Sequence, residues 1–200
     1  MEQAKHFLEI TEKEKMHIPY LIAIFCGLRR GEVLGLKWED IDLGKGKLRV
    51  RRSLTRINGR LSFKEPKTLK SKRQISISPF VITKLKEHKN KQEVLMTRFA
   101  QVYQNNDLII CTEVGKPKEP RNLLREFYRL TEKANIPRIS FHDLRHTHAT
   151  HMLEIGENPK IVAERLGHTR VAITLDTYSH VNQDMQDRAA DKFESAYFSS

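Results

Sequence analysis

The chain is poor in the residues that would place it outside the cell or in a membrane. Only two of its 200 residues are cysteines, and Cys26 and Cys111 lie far apart in apolar stretches (Ile24-Phe25-Cys26 and Ile109-Ile110-Cys111). That usage fits small buried side chains in a reducing compartment and predicts no disulfide. No apolar run approaches the roughly eighteen residues of a membrane-spanning helix, and no basic-then-apolar leader opens the chain. No segment repeats, and no low-complexity or long Gly/Ser stretch divides the sequence. These absences predict one soluble, cytoplasmic domain over residues 1–200, with no membrane contact; its 38% hydrophobic residues suffice for a single core.

Acidic residues are almost missing from one segment. Between Lys45 and Arg73 there are twelve Lys or Arg and one acid, Glu65, whereas the other residues balance at 24 basic to 24 acidic. A basic segment on a neutral body is the footprint of a surface for a polyanion, because cations that neutralise phosphates release condensed counterions. The candidate contacts are Arg49, Arg51, Arg52, Arg56, Lys64, Lys70, Lys72 and Arg73. A solvated basic hairpin without a partner is the plainer alternative.

Hydrophobic periodicity organises the chain. Ile18 to Phe25, continuing through Leu28, Val33 and Leu36, predicts two helices that meet near Gly27. Leu48 to Ile57 changes to near-alternation, Arg60 to Lys64 is short, and Gln74 to Ser78 alternates around Ile75 and Ile77. Asn58-Gly59 is a strong signal for a tight primed turn, so the basic segment is predicted to be one antiparallel sheet of three strands. Helices resume after Pro79: a long one carrying Val81, Leu85, Val94, Leu95 and Phe99, and another over Asn122 to Ala134. Ser140 with Asp143 three residues later forms a capping box, and Asn158-Pro159 opens a helix that Gly167 closes. The expected class is α+β, mainly helical.

The capping box sets up chemistry. It places His142 and Arg145 in the first turns of one helix, three residues apart and on one face, beside unpaired backbone N–H groups that suit a phosphate. Arg29 supplies a second guanidinium from another helix; a planar fork with an untitratable charge suits negative charge spread over non-bridging oxygens. Glu32, at i+3, pairs with Arg29 in the simplest structural reading and orients it in the functional one. His142, His146, His148 and His151 crowd ten residues and invite a metal reading, with His142-Asp143 resembling the His-Asp pair of metal-dependent phosphohydrolases. Their side chains leave different faces of a helix, however, and two arginines would repel a cation. His146, His148 and His151 therefore read as helix surface or polar packing, and no metal or cofactor is expected.

Four contexts follow one another: Gly27-Leu28-Arg29-Arg30-Gly31-Glu32, Phe141-His142-Asp143-Leu144-Arg145-His146-Thr147, Leu166-Gly167-His168 and Thr177-Tyr178-Ser179-His180. In this order they resemble the catalytic domain of the tyrosine recombinases, the phage-integrase-like family, from about Ile18 to His180. The resemblance implies site-specific cutting and rejoining of double-stranded DNA, with Arg29, Lys67, His142, Arg145, His168 and Tyr178 as the catalytic residues. Tyr178 would be the nucleophile that forms a 3′-phosphotyrosyl link and frees a 5′-hydroxyl. Lys67, in Pro66-Lys67-Thr68, best matches the general acid, with Lys70 and Lys72 on the same turn. The resemblance also implies a homo-oligomer, a tetramer on DNA, and a separate helical DNA-binding domain that this chain starts too late to contain. Residues 181–200, with Met185, Ala189, Phe193 and Ala196 at helical spacing, would dock on a neighbouring subunit. The rivals are a DNA-binding module without catalysis, a relaxing topoisomerase of similar chemistry, and a metal-dependent phosphohydrolase.

Overall fold

The computed structural model describes residues 1–65, 72–177, 190, 191, 193–195, 197 and 198. Lys67, Lys70 and Tyr178 lie outside the described residues, as do Met185, Ala189 and Ala196 of the tail. Eight α-helices and five short strands are assigned among those described: α1 (Glu2–Thr11), α2 (His17–Cys26), α3 (Arg30–Gly35), β1 (Ile41–Asp42), β2 (Lys47–Val50), β3 (Ser53–Ile57), β4 (Arg60–Lys64), β5 (Arg73–Ser76), α4 (Pro79–Arg98), α5 (Pro120–Lys133), α6 (Phe141–Glu154), α7 (Pro159–Leu166) and α8 (Val171–Thr177). None of the described helices is long and apolar enough to cross a membrane.

The helices start and stop where local chemistry asks them to. Gly27, at the C-terminal end of α2, has φ +65°, and Gly167 after α7 has φ +68°, the left-handed conformation that glycine adopts at no steric cost. Asn158 accepts a hydrogen bond from the Lys160 N–H with Pro159 at the first helical position, and the Ser140 N–H donates to the Asp143 carboxylate at 2.7 Å to hold the start of α6. The core is built on α2, whose residues are nearly all buried. Phe7 of α1, Tyr20 of α2, Phe127 of α5 and Phe141 of α6 pack ring against ring at 5.3–6.1 Å. A smaller cluster of Ala149, Leu153, Val162 and Leu166 fastens α7 to α6.

The sheet differs from the sequence expectation. A three-stranded antiparallel sheet is present, but its order is β1-β2-β5, and β3-β4 is a separate hairpin. The expected strand over 48–57 is broken at Arg51-Arg52, where the Arg52 guanidinium forks onto Asp40 (2.5 Å) and Glu39 (2.8 Å). Leu48, Val50 and Leu54 are all buried, so the alternation runs in phase across the break and hides it. Asn58 (φ +46°) and Gly59 (φ +78°) make the two-residue turn between β3 and β4, closing on the Ile57–Arg60 pair.

The hairpin is seated directly on α3. A Cβ on Gly31 would lie 2.9 Å from the Leu54 carbonyl oxygen, and one on Gly35 3.1 Å from the Leu54 nitrogen. This i, i+4 pair therefore lets helix and strand backbones touch, and it fixes the basic hairpin relative to Arg29 at the start of α3.

Candidate functional site

Arg29 is the N-terminal flanking residue of α3. Its backbone N–H donates to Glu32 Oε2 (2.8 Å) and its Nη1 to Glu32 Oε1 (3.0 Å), while its side chain keeps 41% exposure. Glu32 is buried. Burial alone would push its carboxyl up, but hydrogen bonds and charge from Arg73, then Arg29, outweigh this and hold it below the usual carboxylate range. The i, i+3 pairing of Arg29 with Glu32 is present as the sequence expects.

Arg145, on α6, is only 2% exposed. Nη1 donates to the Gly27 carbonyl at 2.6 Å and Nη2 to the Leu166 carbonyl at 2.5 Å. The guanidinium thereby ties the end of α2, two residues before Arg29, to the end of α7, two residues before His168. Gly27 is required here twice over, by its positive φ and because an added Cβ would lie 2.6 Å from the His148 ring.

His168 is half-buried, and its Nδ1 is 2.8 Å from the Thr174 hydroxyl of α8, which fixes the ring plane in either tautomer. Burial, then the charges of Arg145, Arg29 and Arg73, push its pKa down to about 4. His142 is exposed, and its ring meets that of His146 edge-on at 4.7 Å. Partial burial, then His146, Arg145 and Arg29, lower its pKa. The structure therefore gathers Arg29, His142, Arg145 and His168 into one electrostatic neighbourhood. Among the described residues no three His, Cys, Asp or Glu side chains converge as metal ligands would.

The candidate DNA contacts separate into two groups. Arg49, Arg51, Arg56, Lys64 and Lys72 are exposed; Arg56 also reaches Glu119 (3.0 Å) and Lys72 reaches Glu65 (2.7 Å). Arg73 is a correction. Its side chain is 6% exposed and spans Glu32 on both nitrogens, so it is an internal strut, and charge counting along the chain could not see the buried carboxylate that claims it. Arg52, at 17% exposure, likewise serves chiefly to hold Asp40 and Glu39.

Sequence reasoning missed two participants: Thr174 supports His168, and the Arg165 carbonyl accepts from Arg73. His148, read as surface or polar core packing, is buried. His148 Nδ1 donates to the Ile24 carbonyl at 2.8 Å.

Burial, then Arg165, pushes the His148 pKa down to about 4. An unfolded histidine titrates near 6.5, so as pH falls below that value the unfolded chain takes up a proton that the folded chain refuses. Stability is then lost progressively until pH 4, by about 3 kcal/mol for this residue; His168 acts in the same direction. Thermal melts from pH 8 to pH 4 should therefore show a falling acid limb below about pH 6.5. His148→Gln should flatten that limb, and an unchanged slope would assign the acid sensitivity to other groups.

Residues 1–185 match the phage integrase family, and the chain belongs to it. A tyrosine recombinase XerC-like protein of Caldanaerobacter subterraneus subsp. tengcongensis is 36% identical over 192 residues, covering 90% of this chain and 49% of that protein. The Tn1549 transposon integrase, solved in complex with circular intermediate DNA, superposes with a TM-score of 0.78 at 23% identity over 96% of this chain and 65% of that one. The catalytic domain of bacteriophage HP1 integrase does so with a TM-score of 0.60 at 17% identity, covering 100% and 96%. These likenesses show a mainly helical catalytic-domain fold with small antiparallel sheets. The chain spans about half the length of the curated relatives it matches.

Proposed function

We propose that this chain is the catalytic part of a site-specific recombinase that cleaves and rejoins double-stranded DNA through Tyr178. The observation that carries the reading is the convergence of Arg29, His142, Arg145 and His168 around the carbonyl clamp of Arg145, on helices distant in sequence. The phenolic oxygen of Tyr178 attacks the scissile phosphorus, a bond from phosphorus to tyrosine oxygen forms, and the bond to the 5′-oxygen breaks. Arg29 and Arg145 bind the non-bridging oxygens as charge grows on them. Neutral His168 accepts the phenolic proton; a phosphodiester seated among the guanidinia adds an opposite charge that raises its basicity from the free-protein value. Lys67, which lies between β4 and β5 in the sequence, delivers a proton to the leaving 5′-oxygen. The phosphodiester energy stays in the protein–DNA link, so attack by the 5′-hydroxyl of another strand reseals the DNA without nucleotide hydrolysis.

The exposed cations on β2, β3, β4 and Lys72 form the duplex-binding face in this reading, and Lys70 belongs to the same proposal. The Tn1549 relative's complex with DNA supports the choice of partner. Assembly into a tetramer, with residues 181–200 docking on the next copy and a DNA-binding domain preceding this one, belongs to the same proposal. A cleft of about 660 Å³ lined by Ile24, Phe25, Phe80, Met152 and Ile155 supports it. So does the exposure of Phe193, Tyr197 and Phe198 in the described part of the tail.

The test is a duplex nicked near the crossover, so that the short cleaved strand is lost and the covalent complex accumulates. A protein–DNA species that survives denaturant and forms in EDTA is the expected result. Cleavage that needs added zinc or magnesium and leaves no adduct would replace this reading with metal-dependent phosphohydrolysis, and binding with neither product would reduce the chain to a DNA-binding module.

A further inference from the structure

Among the described cations of the basic segment, Arg73 has a side chain only 6% exposed, and its position is unusual. Arg73 opens β5, the first strand that follows Lys67 and Lys70 in the sequence. Its Nη1 and Nη2 donate to Glu32 Oε1 (3.0 Å) and Oε2 (2.9 Å), and its Nε donates to the Arg165 carbonyl at 2.6 Å. Each oxygen of Glu32 is shared, Oε1 with the Arg29 guanidinium and Oε2 with the Arg29 backbone N–H. The Arg165 carbonyl lies in the last turn of α7, one residue from the Leu166 carbonyl that Arg145 holds. Gly167 then passes so close that an added Cβ would lie 3.1 Å from the Arg73 guanidinium.

Building on the function proposed above, we infer that Arg73 is a positioning residue for strand cleavage, holding Arg29 through Glu32 and His168 through the end of α7. The physical reason is geometric. A carboxylate left with Arg29 would keep one fixed anchor, the Arg29 backbone N–H on Oε2, and could pivot about it, carrying the guanidinium with it. The bidentate fork from Arg73 fixes the plane of the carboxylate, and so the direction from which Arg29 approaches a phosphate. Fixing the Arg165 carbonyl with the third donor of the same fork links the start of α3, the end of α7 and the start of β5. Lysine cannot substitute, since one ammonium on a flexible stem reproduces neither the fork nor the span from Glu32 to Arg165.

The experiment measures single-turnover cleavage at saturating DNA for the full chain, with DNA affinity and thermal unfolding measured on the same samples. Arg73→Lys should cleave 10- to 100-fold more slowly while binding DNA within about threefold of the parent. Combined with Arg29→Ala it should cost less than the product of the two single losses, because the part that acts through Glu32 is already lost with the Arg29 guanidinium. A substrate whose scissile phosphate is replaced by an uncharged methylphosphonate needs less from Arg29, so the Arg73→Lys defect should shrink on it; a merely loosened fold would cleave both substrates poorly. Losses that multiply in the double variant, or an affinity that falls in step with the rate, would overturn the inference. Should Arg73→Lys fail to unfold cooperatively, the pair Glu32→Met with Arg73→Met replaces the buried ion pair as a unit and keeps the packing. That double variant should cleave as poorly as Arg29→Ala, and parental cleavage by it would equally overturn the inference. The parent's own adduct is the internal control: its absence would sink the proposed function, whereas its presence with a fully active Arg73→Lys would sink only this step.

Discussion

Tyr178→Phe should abolish the covalent protein–DNA species while leaving DNA affinity within a fewfold of the parent. The substitution removes one oxygen and keeps the ring, so the fold and the basic hairpin are untouched and only the attacking atom is lost. No other group can inherit the role easily: a neighbouring hydroxyl such as that of Ser179 would need to be placed in line with the leaving oxygen, and misplacement by about 1 Å already costs on the order of 10²-fold. Denaturing gels of the nicked duplex after overnight incubation are the measurement. Adduct formation by Tyr178→Phe at the parental level would show that the nucleophile has been assigned to the wrong residue.

Arg29→Ala and Arg145→Ala should each slow cleavage by about 10²-fold or more, by analogy with removing a preorganised donor to a developing oxyanion. The structure makes their effects on stability differ. Arg29 is 41% exposed on its side chain and bonds chiefly to Glu32, which Arg73 still holds, so Arg29→Ala should melt close to the parent. Arg145 is buried and satisfies the Gly27 and Leu166 carbonyls. Its removal strands two buried acceptors, at about 1–3 kcal/mol each, and should lower the melting temperature by several degrees. Cleavage rates at saturating DNA, paired with thermal melts, separate the two roles. Equal losses in affinity and rate for both variants would assign them instead to ordinary phosphate contacts, and an unshifted melt for Arg145→Ala would contradict the carbonyl clamp.

How much of this was legible beforehand depends on the range over which each feature is decided. The helix ends at Gly27, Ser140, Asn158 and Gly167 and the Asn58-Gly59 turn are settled by neighbours within four residues, and they stand where the sequence puts them. The same holds for the pairing of Arg29 with Glu32, an i, i+3 contact. The composition of the sheet was not legible, because Val50 and Leu54 keep the same face on both sides of the break at Arg51-Arg52. What breaks the strand is a salt bridge to Asp40, twelve residues away.

The sequence by itself determined the local elements that carry Arg29, His142 and Arg145, since caps, turns and periodicity are short-range physics. It also set the order of the four motifs that mark the family. Only the tertiary structure decided which cations remain for a partner and which are consumed inside. Arg73 and Arg49 look alike in a charge count, yet one is locked between Glu32 and Arg165, 41 and 92 residues away, and the other lies exposed on β2. Likewise Arg145 reads as a phosphate ligand from its helix, but its bond to a carbonyl 118 residues away also makes it the joint between α2 and α7. Contacts of that separation follow from the packing of the whole core, which no local pattern encodes.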